Sequence, residues 1–588
     1  MWKTLRLFFR LAIIFNLFAL PASAQFYLRG EVRDERGKTM SNVRINLHSK
    51  GTYPYYTGTL GSFGIPVASL LDTITLYMDG YEVLQAPIET NRYQFFTLKM
   101  LPATKSKVHL KLSSKTKDLL NKEINKFTVT GESYTSLIEN DFVTAQHYPE
   151  TGFAISIDRA SYSNIRRFLN QEGRVPSDAV RIEEMLNYFS QDNVNATGKF
   201  RNTTQLTSCP WNKTNQLLFF NLEAPKLDLE ILPPSNLVFL IDVSGSMDKD
   251  NRLPLIQSAF KLLVDNLRAK DTVTIVVYGS ATGIALPPTS GIEKKKIKDA
   301  IDDLSAGGST PGESAIRIAY DIAKRSFIVN GNNRVILATD GDFNVGQTTE
   351  KELEELVTEN RKSGIYLTCL GVGMGNYKDS KLEILAKKGN GNFAYIDNYK
   401  EGEKIMLHEF TKTMYSVADD AFVSVNFNPA YVKEYRLIGF DNKKDAVADS
   451  TSDLEGGEVG TGHNLRAVFE IVPTSFNLSH CTQAFEIGKM QLQYKLPGKV
   501  NILKQDLSLL TTYSPIEKAD SATRFAAAVC MFGMMLKQSE YAKAISWEEL
   551  IAFAYPAIKP TEPLQLEFIT LIEKAKKIYS GKNKKKRD

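Results

Sequence analysis

Three oxygen-bearing side chains alternate along one short stretch of this chain, Asp242, Ser244 and Ser246 in Asp-Val-Ser-Gly-Ser. They follow Leu237–Ile241, an unbroken apolar run of the kind that forms a strand covered on both faces. Gly245 lets the backbone turn between the two serines. Hard oxygens gathered where a buried strand meets a loop suit Mg²⁺ or Mn²⁺ rather than a soft metal. By itself, Ser-Gly-Ser reads equally well as a helix cap followed by a turn. Two distant stretches carry groups of the same kind. The loop from Gly307 to Gly312 presents the Thr310 hydroxyl ahead of a helix, and Asp340 ends an apolar strand in Thr-Asp-Gly-Asp. Asp342, the last residue of that tetrapeptide, reads first as a solvated loop residue and only second as a further contributor to the same group.

These groups need a frame, and residues 236–415 supply an alternation of strands and helices. Strands are expected at Leu237–Ile241, Val273–Tyr278, Val335–Thr339, Ile365–Leu370 and Phe393–Ile396. Between the first two, Leu253, Ile256, Phe260, Leu263, Val264 and Leu267 share one helical face. Such alternation predicts an α/β, doubly wound, mostly parallel sheet that binds ligands beyond the carboxyl ends of its strands, where Asp242 and Asp340 fall.

The surrounding chain divides as follows. Residues 25–100 read as a small all-β domain, and 101–140, rich in Lys, Ser and Thr, as a linker with a marginal strand near Phe127. Residues 141–225 contain the strands Phe153–Ile157 and Gln216–Leu222 with two helical stripes between them. Residues 416–515 return to strands, and 516–588 are helical with a basic tail. Strands on both sides of the α/β segment suggest that 150–225 and 416–510 form one β-sandwich into which it is inserted. That arrangement requires Gln216–Leu222 to pair with a strand of the later segment.

Asp242, Ser244, Ser246, Thr310 and Asp340 resemble, in order and spacing, the metal-ion-dependent adhesion site of the von Willebrand factor type A domain. The resemblance implies a Rossmann-like fold in which the three hydroxyls bind Mg²⁺ (or Mn²⁺) directly and the two aspartates act directly or through water. An open coordination position would then take a carboxylate from a protein partner. The flanking stretches 160–169, 178–189, 427–430, 435–439 and 457–463 are similar to those of bacterial YfbK-like proteins of this class. Gly30, Val32, Asp34, Gly37, Gly61, Phe63, Gly80 and Tyr81 resemble the carboxypeptidase regulatory-like domain, which implies a spacer or docking module.

The termini bear on location. Lys3, Arg6 and Arg10, the apolar run Leu11–Leu20 and Ala22-Ser23-Ala24 form a secretory signal cleaved before Gln25. The run is short for a membrane anchor, so no span is expected after cleavage. Removing residues 1–24 lowers the formal charge from +5 to +2; residues 574–588 alone carry +7, which leaves −5 on the rest. Export argues against nucleic acid as the tail's partner; a solvated end or an association with the envelope remains open. The protein is expected in the periplasm or cell envelope. There Cys209 and Cys481 could pair, while Cys369 and Cys530 fall in apolar elements where buried thiols are common.

Catalytic patterns are weak. Residues 307–314 have phosphate-loop spacing, but Glu313 stands where Lys is needed. Gly389-Asn-Gly391 follows a helix and precedes a strand, the reverse of a dinucleotide-binding turn. His408 reads as structural, and His463, in a glycine-rich loop, is a candidate functional group. The expected function is an exported, non-enzymatic, divalent-metal-dependent protein-binding module. The alternative is an envelope scaffold in which the metal is structural.

Overall fold

The computed structural model describes residues 26–35, 37–50, 54–58, 60–67, 69–78, 81–99, 111–115, 132, 134–189, 198–228, 232–279, 282–308, 312–341, 350–373, 379–443, 453–454, 456–474 and 484–580. Residues 1–25, Phe127, Thr310, Asp342, Cys481 and the end of the basic tail lie outside them. The chain forms two compact units, residues 1–108 and 109–588.

In the first unit, Phe26–Asp34 pairs with Ser62–Val67 and Tyr93–Leu98 in one sheet. Arg44–Leu47 and Leu71–Tyr77 lie at the centre of the other. Alternating side chains of these strands, among them Leu28, Val32, Ile45, Phe63, Ile74 and Phe96, form one buried core between the sheets.

The second unit is built from a discontinuous sandwich. Gln216 to Leu222 pairs antiparallel with Ile471 to Leu465, the pairing that insertion of the α/β segment requires. Strand Glu150–Ala154 likewise pairs with Ser416–Phe427 in the facing sheet. Phe153, Phe220, Val423 and Phe469 share the core between the sheets. Pieces of the stretch expected as a linker are part of this unit. Lys111–Leu112 pairs with Asp453–Leu454, Leu137–Ile138 pairs with Asn442–Lys443, and Glu132 forms a buried ion pair with Arg167. Backbone ladders and buried polar side chains such as Glu132, Asn140 and Ser114 hold the described part of this stretch, and neither leaves a hydrophobic period to read. The helices Ala160–Asn170 and Ile182–Tyr188 pack with Ser521–Lys537, Trp547–Ala554 and Pro563–Ser580 around a second core. The two helical stripes of the early flank therefore belong with the C-terminal segment.

Elements of the inserted domain are numbered within it. Its strands are β1 (Ser235–Asp242), β2 (Thr272–Tyr278), β3 (Gly283–Ser290), β4 (Asn332–Thr339), β5 (Ile365–Val372) and β6 (Phe393–Ile396). The sheet order is β3-β2-β1-β4-β5-β6, parallel except for β3. The central strands β1 and β4 are buried at every residue, as their apolar runs demand. Strand β3 was not expected. It contains Pro287 and Pro288, which an edge position tolerates because no ladder bond is lost. Helix α1 (Leu253–Asp265) follows β1, and Gly312–Arg325 begins just after the glycine-rich loop. No described helix is long and apolar enough to cross a membrane.

Candidate metal centre

Strands β1 and β4 lie side by side, so the residues that end them are neighbours. Asp242 is the last residue of β1, and Asp340 directly follows β4; they are 1% and 2% exposed. Beyond Asp242 the chain makes a short 3-10 turn over Gly245–Met247. The Oγ atoms of Ser244 and Ser246 come to 3.0 Å of each other. Both serines are half-buried and Gly245 is exposed, so this side of the group faces solvent.

The glycine-rich loop joins the same place. Gly307 N–H donates to the Val243 carbonyl at 2.7 Å, and Gly245 N–H donates to the Gly308 carbonyl at 2.9 Å. These bonds tether the chain two residues short of Thr310, which lies outside the described residues. Gly279 makes room on the other side, since a Cβ there would stand 2.5 Å from the Val243 carbonyl oxygen. Four of the five expected positions are thus gathered at the carboxyl end of the central strands.

The two buried acids are held differently. Asp242 accepts from Ser244 N–H at 2.9 Å, Thr339 Oγ1 at 2.8 Å and Tyr278 OH at 3.2 Å. Hydrogen bonds to a charged group contribute about 1.5–3 kcal/mol each, so these donors fix its orientation. Burial still pushes its pKa above the ordinary carboxylate range; bonds from Ser244 and Thr339 oppose the shift and the nearby Asp340 adds to it. Asp340 instead receives the Arg252 guanidinium in a buried ion pair. The same Nη1 donates to the Ser246 carbonyl at 2.5 Å.

The donor set fits a hard dication. With metal–oxygen bonds of about 2.1 Å, adjacent donors of an octahedron lie about 3.0 Å apart, which is the Ser244–Ser246 separation. A cation would also favour the charged form of Asp242, which burial disfavours. Among the described residues, Ser244, Ser246, Asp242 and Asp340 are those that could hold such an ion. Among the described residues there is no group of three or more His, Cys, Asp and Glu that could hold a metal by those ligands alone.

Arg252, Tyr278 and the Thr339 hydroxyl were not singled out from the sequence. Two buried carboxylates at adjacent strand ends call for a counter-charge. Arg252, six residues past Ser246 at the start of a helix, was its legible sign. His463 takes no part. It is buried beside Arg159, and burial with that cation pushes its pKa down to about 3, so it stays neutral. Gly389 ends a helix, its N–H bonded to the Leu385 carbonyl, as its position before β6 implied. Cys209, Cys369 and Cys530 are buried free thiols.

Comparison with known proteins bears on this geometry. Residues 236–412 match the von Willebrand factor type A domain, 128–219 a family described as von Willebrand factor, and 412–578 the C-terminal region of uncharacterized protein YfbK. The uncharacterized protein YfbK of Escherichia coli (strain K12) is 38% identical over 468 residues, covering 75% of this chain and 80% of that protein. The chain belongs to the YfbK-like von Willebrand factor type A proteins.

As a YfbK-like protein it also shares shorter stretches with other groups. The magnesium-chelatase 67 kDa subunit of Chlorobaculum tepidum is 27% identical over 180 residues, 28% of each chain. A solved von Willebrand factor type A protein from Catenulispora acidiphila overlays with a TM-score of 0.36 at 15% identity, covering 63% of this chain and 88% of that one. Proximal thread matrix protein 1 from the mussel byssus, solved with a zinc-occupied MIDAS motif, gives a TM-score of 0.25 at 24% identity over 30% of this chain and 44% of that one.

Proposed function

We propose that this YfbK-like protein is a divalent-cation-dependent binding module that captures an acidic group of a protein partner at the cell envelope. Ser244, Ser246 and Thr310 would hold Mg²⁺ (or Mn²⁺) directly, with Asp242 and Asp340 acting directly or through water. The observation that carries the reading is the convergence of two close hydroxyls and two buried carboxylates at one strand-end edge, open to solvent on the serine side. Hydroxyl donors neutralise little of a dication's charge, so the loaded centre would attract a carboxylate. Both aspartates are already committed, one to three neutral donors and one to Arg252, so neither is placed as a general base. A binding role follows rather than a hydrolytic one. Export rests on the signal segment, and a spacer or docking role for residues 25–100 rests on the carboxypeptidase regulatory-like motif.

The test is calorimetric titration of the mature chain with Mg²⁺, followed by capture of envelope proteins on the immobilised chain. Binding of Mg²⁺ and capture should both disappear in Ser244→Ala/Ser246→Ala while the circular dichroism spectrum is unchanged. Metal affinity retained in that variant refutes the centre. Metal-dependent stability with capture indifferent to EDTA would favour the scaffold reading, which the embedding of the α/β domain between sandwich and helical core supports.

A further inference from the structure

We propose that Arg252 sets the residual charge of the loaded metal centre, and with it the centre's preference for an anionic partner over a neutral one. The inference rests on the metal-centre reading above and concerns a residue that reading treats only as a counter-charge.

Arg252 is a fixed part of the site. It is 5% exposed and occupies the cap position of α1, where Ile256 N–H donates to its carbonyl at 3.0 Å and its own N–H donates to Lys249 at 2.9 Å. Its stem lies under Gly373, just past β5. Gly373 has φ +74, and a Cβ there would come within 2.6 Å of Arg252 Nε. Only glycine both accepts that backbone conformation and leaves room for the arginine. Tyr395 OH in turn donates to the Gly373 carbonyl. Backbone and packing therefore aim the guanidinium at Asp340, a carboxylate of the centre, and at the backbone carbonyl of Ser246, whose hydroxyl belongs to it.

The charge count follows. Asp242 and Asp340 contribute two negative charges and Arg252 one positive charge, so the site is −1 empty and +1 with a divalent ion. Without the guanidinium the loaded site would be neutral. A fixed cation against one of the carboxylates opposes the metal but favours any anion that binds to the metal. Removing it should move the two affinities in opposite directions. Loss of a merely structural bridge should weaken both.

The experiment titrates the full mature chain with Mn²⁺ by electron paramagnetic resonance. At saturating Mn²⁺ it then measures acetate binding from broadening of the acetate methyl proton resonance. Arg252→Gln should bind Mn²⁺ at least about tenfold more tightly, as removal of a like charge in a partly buried site implies, and acetate at least about fivefold more weakly. Arg252→Lys, which keeps the charge, should stay near wild type in both. Gly373→Ala, which keeps every charge but displaces the guanidinium, should shift both affinities in the same sense as Arg252→Gln by smaller factors. That variant also tests the inference if Arg252→Gln does not fold. Parallel weakening of both affinities, unchanged acetate binding, or Arg252→Lys behaving as Arg252→Gln overturns the role assigned to Arg252 alone. Absence of Mn²⁺ binding by the wild-type chain overturns the metal centre and this inference together.

Discussion

Arg166 joins the inserted α/β domain to the helices packed beside it, and replacing it by Met should destabilise the protein by about 3–5 kcal/mol at pH 7. It projects from the helix Ala160–Asn170 with its side chain 4% exposed. Its Nε and Nη2 meet Asp397, which follows β6, at 2.7 and 2.5 Å, and Nη2 also reaches Glu401 at 2.6 Å. Nη1 donates to Tyr188 OH and to Glu567 of the C-terminal helix, both at 3.1 Å. Exposure apportions the cost. The Glu567 side chain is 35% exposed and can turn to water, so its pair contributes about 1 kcal/mol or less. Asp397 and Glu401, 5% and 4% exposed, cannot turn away, and orphaning them supplies most of the penalty. Burial already raises the Asp397 pKa, with Arg166 opposing the rise. Without Arg166 it must climb further, and a raised carboxylate pKa favours folding below the unfolded value and disfavours it as pH rises through the folded one. The deficit of Arg166→Met should therefore grow from pH 5 to pH 8. Urea denaturation in EDTA, which removes any metal contribution, is followed by the fluorescence of Trp547, packed between Phe532 and Tyr579 in the helical core. Adding Asp397→Asn to Arg166→Met should recover part of the loss. A deficit below about 1 kcal/mol, or one equal at pH 5 and 8, would refute the account of Arg166 as the counter-charge of two buried acids.

Three further outcomes are expected. Burial, with Asp441 and Glu184 nearby, raises the Glu183 pKa to about 7. Its contribution is thus complete below the ordinary glutamate range and is lost as pH rises through 7. Glu183→Gln, which keeps an acceptor for Phe440 N–H, should then flatten the fall in stability between pH 5 and 8 and gain about 3 kcal/mol at pH 8, read by urea denaturation. Phe220→Ala, in the core shared by both sheets of the sandwich, should cost about 3–5 kcal/mol; the same measurement checks it, and a cost below about 1 kcal/mol would mean the two chain segments do not form one core. Mass spectrometry of the protein recovered from the envelope fraction of expressing cells should give Gln25 as the first residue, and an intact Met1 would remove the basis for export.

Much of the α/β domain was legible because its signals are local. The runs at Leu237–Ile241, Val335–Thr339 and Phe393–Ile396 are strands within a few residues of the expected bounds, since strands covered on both faces carry near-continuous apolar runs. The edge strand Gly283–Ser290 escaped because one face is wet and Pro287 and Pro288 argue against a strand everywhere except at an edge. The ordered pieces of 101–140 escaped because pairs such as Glu132 with Arg167 join residues with no periodic relation.

The site divides along the same line. Asp242, Ser244, Ser246, Thr310 and Asp340 were chosen from sequence alone, because each short segment carries an oxygen-bearing side chain at a recognisable strand end or glycine turn. Sequence also placed the break between strand-rich and helical segments. Tertiary structure alone decided that Gln216–Leu222 pairs with Leu465–Ile471, that the early helices join the C-terminal ones, and that Arg252 is the charge facing Asp340. Those are contacts between residues far apart in the chain or on different elements. Burial requires that such partners exist, and only the packed fold determines which residues they are.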